Sequence, residues 1–310
     1  MKIVLTGGAG FIGTNFCVEA AKYEHEVIVF DDFSTGYTEN TAAHGMDVVR
    51  GTILDSDALH KVMEGADSCV HLAALGSVPR SIADPFSTHE VNARGTLNVL
   101  EAARAAEVGH VVVASSSSVY GMNPALPKGE REWVRPMSPY AVTKLATEQY
   151  ALAYQQSFGL ETLAFRFFNV YGPYQRAGHP YAAVVPTFVD ALFRGDVLSI
   201  NGDGSHSRDF TYVGTLCRVL LEAVERRISY PEPVNLAFGS STNLLDLVGH
   251  LEEISGFDAT VEHRDPRPGD VKHSQADNGL LRELFPSVVP TSIEAGLSST
   301  LKWFGEDFHE

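Results

Sequence analysis

The sequence predicts an α/β fold, a doubly wound parallel sheet with a smaller α/β region on its C-terminal side. Three observations lead there. Short, nearly unbroken apolar runs alternate with helical patterns through the first half of the chain, which is how strands covered on both faces of a parallel sheet read. A glycine-rich turn follows the first of these runs. Beyond Asn169 the texture changes to a Pro-, Gly- and Tyr-rich stretch and then to scattered helices and brief strands.

Taken in order, residues 2–6 read as a strand, 11–22 as a helix, 26–30 and 47–50 as the second and third strands, and 68–72 as the fourth. Residues 87–107 carry Val91, Leu97, Val99 and Leu100 among Ala and Glu and read as one long helix, followed by a fifth strand over 110–114. A helix is expected over 139–158 and a strand over 161–168. Residues 171–180 read as an ordered loop, and helices follow over 181–194, 213–226 and 243–254. A soft boundary near residue 170 divides the chain into 1–170 and 171–310, the second part interleaved with the first; no low-complexity stretch marks a linker.

The chain has 310 residues, 44% hydrophobic and 20% charged, enough to bury a sizeable core. Its formal charge of −16 repels a phosphate polyanion, so nucleic acid is not expected as a partner, although a local basic site for a small anion is allowed. Cys17, Cys69 and Cys217 lie far apart without CxxC spacing, and the twelve histidines show no ligand pattern, so neither a disulfide framework nor a metal site is expected. No apolar run approaches the ~20 residues that span a bilayer. A strand pattern that starts at Lys2 leaves no room for a signal peptide. A cytoplasmic location and no membrane partner are the expectation.

Thr6-Gly7-Gly8-Ala9-Gly10-Phe11-Ile12-Gly13 stands between the first strand and the first helix, with Gly7, Gly10 and Gly13 three apart. Missing Cβ atoms let the chain turn tightly, let a pyrophosphate approach and let the helix pack on the strand, while the helix N-terminus offers N–H groups to the phosphates. A purely structural glycine turn would show the same residues. Asp31 ends the second strand, where a carboxylate can accept both ribose hydroxyls of adenosine and repel a 2′-phosphate, so NAD is favoured over NADP. An ordinary turn residue is the other possibility for Asp31, and Asp32 beside it can take its role. On this basis residues 1–170 form a Rossmann domain that binds NAD, and 171–310 bind the substrate.

Tyr140 and Lys144 stand four apart at the start of a helix and share one face. A phenol titrates near ~10, but a neighbouring ammonium and an oxidised nicotinamide both favour phenolate, so Tyr140 is a candidate general base. Lys144 can also hold the nicotinamide ribose. A lone YxxxK is common as two surface residues; behind a matching glycine turn it gains weight. Ser115 to Ser118 follow the fifth strand, at the carboxyl end where ligands of such sheets bind. One of these hydroxyls can bond the substrate oxygen that loses its proton, and the residues alone do not say which.

The glycine spacing departs by one residue from G-x-G-x-x-G, and in this it resembles the short-chain dehydrogenase/reductase superfamily of the extended type. The whole chain is similar to the NAD-dependent sugar-nucleotide epimerases and dehydratases, and most resembles UDP-hexose 4-epimerases that act on N-acetylated hexosamines. The likeness is carried by TGGAGFIG at 6–13, FDDFSTG at 30–36, HLAALGSVPRS at 71–81, SSSSVYG at 115–121 and SPYAVTK at 138–144. RFFNVYGP at 166–173, NGDGSHSRDF at 201–210 and RPGDVKHSQAD at 267–277 complete it.

The resemblance implies roles residue by residue. Phe11 and Ile12 give backbone N–H groups to the pyrophosphate. Asp31, Asp32, Ser34 and Gly36 surround the adenosine ribose, and Thr52 and Ile53 flank adenine, although many relatives carry Asp where Thr52 stands. Leu72, Ala73 and Ala74 line the cofactor groove with Asn92 nearby. The catalytic hydroxyl falls on Ser116, beside Tyr140 and Lys144. Asn169, Arg208 and Arg267 meet the substrate diphosphate and Asp270 the uridine ribose. The two arginines also make sense unaided, because an acidic protein that binds a diphosphate needs local cations, and Arg grips phosphate through a planar fork.

The reaction implied is inversion at C4 through a 4-keto sugar. Related dehydratases carry an Asp-Glu pair after the catalytic hydroxyl; here those positions are Ser117 and Ser118, which disfavours elimination. Related decarboxylases commonly show Glu at the Ser118 position. Ser274 falls where hexose-restricted epimerases carry Tyr, which leaves room for a 2-acetamido group, so UDP-GlcNAc and UDP-GalNAc are the expected substrates; Gly76, where some relatives have Lys, also points to a differently shaped pocket. UDP-glucuronate 4-epimerases have small residues near Ser274 as well, so a uronic acid stays open, as do a decarboxylase or dehydratase of the same family. Ser77 and Arg80 either face the sugar or form a structural loop. The resemblance further implies a homodimer formed by the helices at 87–107 and 139–158.

Overall fold

A computed structural model of the chain describes residues 1–178, 182–265 and 272–307. The first half alternates β1 (Lys2–Thr6), α1 (Phe11–Ala20), β2 (Glu26–Asp31), α2 (Thr38–Ala43), β3 (Asp47–Arg50), α3 (Ser56–Met63) and β4 (Ser68–His71). Helices α4 (Val78–Ala83), α5 (Pro85–His89) and α6 (Gly95–Ala105) precede β5 (His110–Ser116), α7 (Pro139–Phe158) and β6 (Glu161–Phe167). The rest holds β7 (Val170–Tyr171), α8 (Val184–Arg194), β8 (Leu198–Asn201), β9 (Ser207–Arg208), β10 (Thr211–Tyr212), α9 (Val213–Glu225) and β11 (Val234–Leu236). It ends with β12 (Thr242–Asn243), α10 (Leu244–Ser255), β13 (Val261–Arg264), β14 (His273–Ser274), α11 (Gly279–Leu284) and α12 (Ile293–Asp307).

Seven strands form one sheet in the order β11-β6-β5-β4-β1-β2-β3, every pair parallel. Alternate side chains of each strand feed opposite layers. Ile3 and Leu5 pack with Phe16 of α1 and with Leu216 and Leu220 of α9. Val4 packs with Leu59 and Met63 of α3 and Leu100 of α6 on the other face. The chain winds outward from β1 to β3, then returns to add β4, β5 and β6 on the other side of β1. The direction of winding thus reverses between β1 and β4, and a crevice opens beyond their carboxyl ends. A separate core joins α8, α10 and α12 through Val189, Leu192, Leu251, Leu297 and Leu301.

Helix α7 occupies 139–158 as its sequence predicts, because its ends are specified locally. Ser138 accepts the N–H of Ala141, Pro139 fills the first turn, and Gly159 closes the helix at φ 70°. The long helix expected over 87–107 is different. It starts at α5 and is interrupted by a π turn over Glu90–Arg94 before α6. The cause is tertiary: Asn92 is wholly buried, its amide clamps the N–H and carbonyl of Leu75 at 2.7 and 3.1 Å, and Thr96 bonds the Asn92 carbonyl at 2.6 Å. Residues after Ser77 form helix α4 rather than a loop, with the Ser77 hydroxyl accepting the N–H of Arg80. No helix among the described residues is long and apolar enough to cross a membrane.

Candidate active site

A cleft of about 470 Å³ lies at the β1/β4 reversal. Its floor is the glycine turn, where Gly7, Gly10, Phe11, Ile12 and Gly13 line it. Gly7 sits at φ +73°, and a Cβ there would meet the Ala73 nitrogen at 2.6 Å; a Cβ on Gly13 would meet the Gly7 oxygen at 2.5 Å. No side chain caps α1 at Gly10. The cradle thus excludes side chains and presents helix N–H groups, a fit for a dinucleotide pyrophosphate.

Asp31 stands at the end of β2 with 8% exposure and lines the cleft together with Asp32 and Ser34. Its carboxylate accepts the N–H of Ala9 at 3.0 Å and of Phe33 at 2.8 Å, so the residue proposed for ribose also fixes the glycine turn. Burial raises its pKa, and those two bonds act against the rise. Ile53, Leu72, Ala73 and Ala74 form cleft walls. Gly36 and Thr52 are beside the wall rather than in it: a Cβ on Gly36 would press on Ala9 at 2.8 Å, and the Thr52 hydroxyl faces the N–H of Leu54 at 3.4 Å. Asn92 is behind the wall, as its bonds to Leu75 require.

Ser116, Tyr140 and Lys144 come together on one wall. The Ser116 oxygen accepts the N–H of Ser118 at 3.2 Å and caps a 3-10 turn over Ser117–Tyr120. Burial raises the Tyr140 pKa, against which the Ser116 hydrogen bond acts. The Lys144 ammonium donates to the Ala114 carbonyl at 2.8 Å, and burial brings its own pKa down to about 8.

The substrate candidates divide. Arg80, Ser116 and Asn169 line the cleft. Asn169 takes φ 33°, a left-handed geometry that Asn tolerates, and its amide donates to the Asp209 carbonyl at 3.2 Å. Arg208 and Ser274 lie outside the cleft lining but opposite each other in the parallel β9/β14 ladder. Ser77 is spent on capping α4, and Ser117 is half-buried at the start of its turn. Arg267 and Asp270 lie outside the described residues.

Sequence reasoning passed over His71 and Glu148. His71 is buried between the hydroxyls of Thr6 and Thr96, at 2.7 and 3.0 Å, and staples β1 and β4 to α6. Glu148, one turn after Lys144 on α7, pairs with Arg166 and accepts the Ser115 hydroxyl at 2.7 Å. A signal was there: a carboxylate four residues after Lys144 on a helix face that turns inward.

An all-parallel sheet that reverses at a glycine cradle, with an acidic residue after β2 and a Ser/Tyr/Lys wall, defines a dinucleotide-dependent α/β enzyme. Residues 3–237 match the model of the NAD dependent epimerase/dehydratase family, and the chain belongs to that family. It is 35% identical to the UDP-glucose 4-epimerase of Mycolicibacterium smegmatis, over 98% of both chains. Among solved structures it is similar to the UDP-N-acetylglucosamine 4-epimerase of Methanobrevibacter ruminantium M1 in complex with UDP-N-acetylmuramic acid (TM-score 0.92, 36% identity, 99% and 98% of the two chains). It is also similar to the UDP-glucose 4-epimerase of Thermotoga maritima with UDP-glucose (TM-score 0.93, 32% identity, 99% and 100%).

Proposed function

We propose that this chain is a UDP-sugar 4-epimerase acting on UDP-GlcNAc and UDP-GalNAc or a related UDP-hexose, working in the cytoplasm as a homodimer. The observation that carries the reading is the convergence of Ser116, Tyr140 and Lys144 on the cleft whose floor is the glycine cradle. When bound, NAD supplies the redox carbon that exchanges hydride with the sugar and the cationic ring that favours phenolate. Gly10, Phe11, Ile12 and Gly13 would hold its pyrophosphate and Asp31 its adenosine ribose. Tyr140 takes the proton of the sugar 4-hydroxyl, Ser116 bonds the same oxygen, and Lys144 holds its ammonium beside them. The 4-keto sugar turns over in the cleft, and Tyr140 returns the proton to its 4-oxygen, so that the 4-hydroxyl is restored on the inverted centre. Ser117 and Ser118 provide no carboxylate for elimination at C5 and C6.

Asn169, Arg208, Arg267 and Asp270 are assigned to the UDP moiety, and Ser274 to the room for a 2-acetamido group. A second reading, a UDP-glucuronate 4-epimerase, is favoured by Arg80, a cleft-lining guanidinium suited to a carboxylate. Incubation with UDP-GlcNAc and UDP-GlcA, read by NMR, separates the two. A C4-inverted product from neither, nor from UDP-Glc, removes both. Tyr140→Phe should abolish turnover, a loss of at least about 100-fold, and leave NAD bound. For the homodimer, support comes from apolar side chains left in solvent on packed helices: Ile82 and Phe86 at 66% and 84% exposure and Val142 of α7 at 52%. Light scattering should give twice the 33.6 kDa chain mass; a monomer at micromolar concentration overturns it.

A further inference from the structure

The rim of the cleft beyond Asp31 is a loop, residues 32–37, that leads into α2. On the sheet side the Phe33 N–H donates to Asp31 at 2.8 Å, the Arg50 guanidinium lies 5.7 Å from the Phe33 ring, and the Tyr37 N–H and Asn40 amide reach the Ala9 carbonyl at 3.1 and 3.3 Å. The outer side of this rim meets the segment after β7. His44 Nε2 and Tyr174 Oη are 2.7 Å apart, with their rings edge-on at 5.4 Å. The Arg176 guanidinium lies over the Tyr37 ring at 4.4 Å. The Arg176 Nε is buried and has no hydrogen-bond partner among the described residues.

That segment is itself firmly seated. Asn15 of α1 donates to the Pro173 carbonyl at 2.9 Å, Gln175 donates to the Val170 carbonyl at 3.1 Å, and Tyr174 packs on Trp303 of α12 at 5.4 Å. Tyr174 has φ 66°, a left-handed backbone that a tyrosine keeps only where its surroundings determine it. A well-seated piece of the C-terminal region therefore clasps the outer side of this rim, and Asp32, Ser34 and Thr35 of the rim line the cleft.

We infer that Tyr174 and Arg176 are positioning residues that hold the 32–37 loop over the adenosine end of bound NAD, so that the dinucleotide stays on the chain from one turnover to the next. The inference rests on the proposed role of Asp31, Asp32 and Ser34 toward NAD. It accords with the chemistry, because an isomerisation returns its redox group to the starting state and has no need to exchange it.

The test measures release of NAD, not turnover. Protein loaded with NAD is mixed with alcohol dehydrogenase and ethanol, which turn released NAD into NADH, and the absorbance gives the release rate. Tyr174→Phe removes the hydroxyl and keeps the ring; Arg176→Met removes the cation and Arg176→Lys keeps one. The double variant Tyr174→Phe/Arg176→Met should release NAD about tenfold faster, with the melting temperature of the NAD-free protein unchanged. His44→Ala should reproduce the Tyr174→Phe part from the other side, and Arg176→Lys should stay near wild type. Unchanged release in protein that does hold NAD overturns the clasp and leaves the cofactor reading standing, as does equal acceleration by Arg176→Lys and Arg176→Met. Wild-type protein that neither carries nor binds NAD removes the cofactor reading and the clasp with it.

Discussion

The Glu148 carboxylate and the Arg166 guanidinium face each other through two hydrogen bonds of 2.7 and 3.0 Å, with 0% and 4% of their side chains exposed. Glu148 also accepts the Ser115 hydroxyl, which lies 3.2 Å from the Lys144 carbonyl. On the far side Arg166 reaches Tyr120 at 3.0 Å, Tyr120 donates to Asn235 at 2.7 Å, and Asn235 donates to the carbonyls of Lys128 and Asp277 at 2.8 and 3.2 Å. A continuous run of buried bonds thus links the helix of Tyr140 and Lys144 to the segment that follows Ser274. Removing one member leaves a buried charge alone. Glu148→Ala and Arg166→Ala should each cost about 3–5 kcal/mol in chemical denaturation, while Glu148→Leu/Arg166→Met should cost far less than their sum. Additive losses would show that the two charges do not act as a pair.

His71 gives the fold a dependence on acid. Burial, helped by the Lys144 ammonium, lowers its pKa from 6.5 to about 3. The unfolded chain then takes up a proton below pH 6.5 that the folded chain refuses. Stability from this residue is constant above that pH and falls by roughly 1.4 kcal/mol per unit as pH drops toward 3. Lys144, lowered from 10.5 to about 8, acts in the same sense at the alkaline end: stability rises as pH climbs through that window. His71→Asn should flatten the acid limb of a stability–pH curve measured by urea unfolding, and an unaltered limb would assign it to other groups.

The fold half that repeats strand and helix was legible because each period is local: apolar runs for β1, β2 and β5, a glycine between β1 and α1, Ser138 and Pro139 before α7. Helix α3 carried a readable signal as well, with Asp55 capping it through the N–H groups of Asp57 and Ala58 ahead of buried Leu59, Val62 and Met63. The π turn at Glu90–Arg94 was not readable, because it exists to bring Asn92 to Leu75 and Thr143, partners set only by the folded sheet. The two-residue strands β9 and β14 were equally hidden. A pairing of Arg208 with Ser274 across such a separation leaves no periodic trace. In the site, residue identities gave Tyr140 and Lys144, but the direction of the Tyr140 shift depends on burial, which identities do not carry.

Asp31 should matter twice. Its oxygens fix the N–H groups of Ala9 and Phe33, and its charge would repel a 2′-phosphate. Asp31→Asn keeps the shape but turns an NH2 toward one of those donors, at a cost of about 1–3 kcal/mol. The same change should weaken NAD about tenfold and strengthen NADP, seen by calorimetric titration of both. A preference for NAD that survives the substitution would take Asp31 out of the selection.

Ser274 offers the sharpest test of sugar size. It lies opposite Arg208, in a ladder where the Asp209 N–H bonds the Ser274 carbonyl at 2.8 Å. Asp209 is fully buried and accepts the N–H groups of Gly239, Ser240 and Ala276 at 2.9 to 3.1 Å. The strand that carries Ser274 therefore has a rigid seat, and a larger side chain there must project from it instead of moving the backbone. If the acetamido group uses this space, Ser274→Tyr should lower kcat/KM for UDP-GlcNAc by at least about tenfold, because overpacking a fixed pocket costs about 1–3 kcal/mol, and should spare UDP-Glc. Parallel losses on both sugars would place the acetamido group away from Ser274. A gain confined to UDP-GlcA would favour the uronate reading at Arg80.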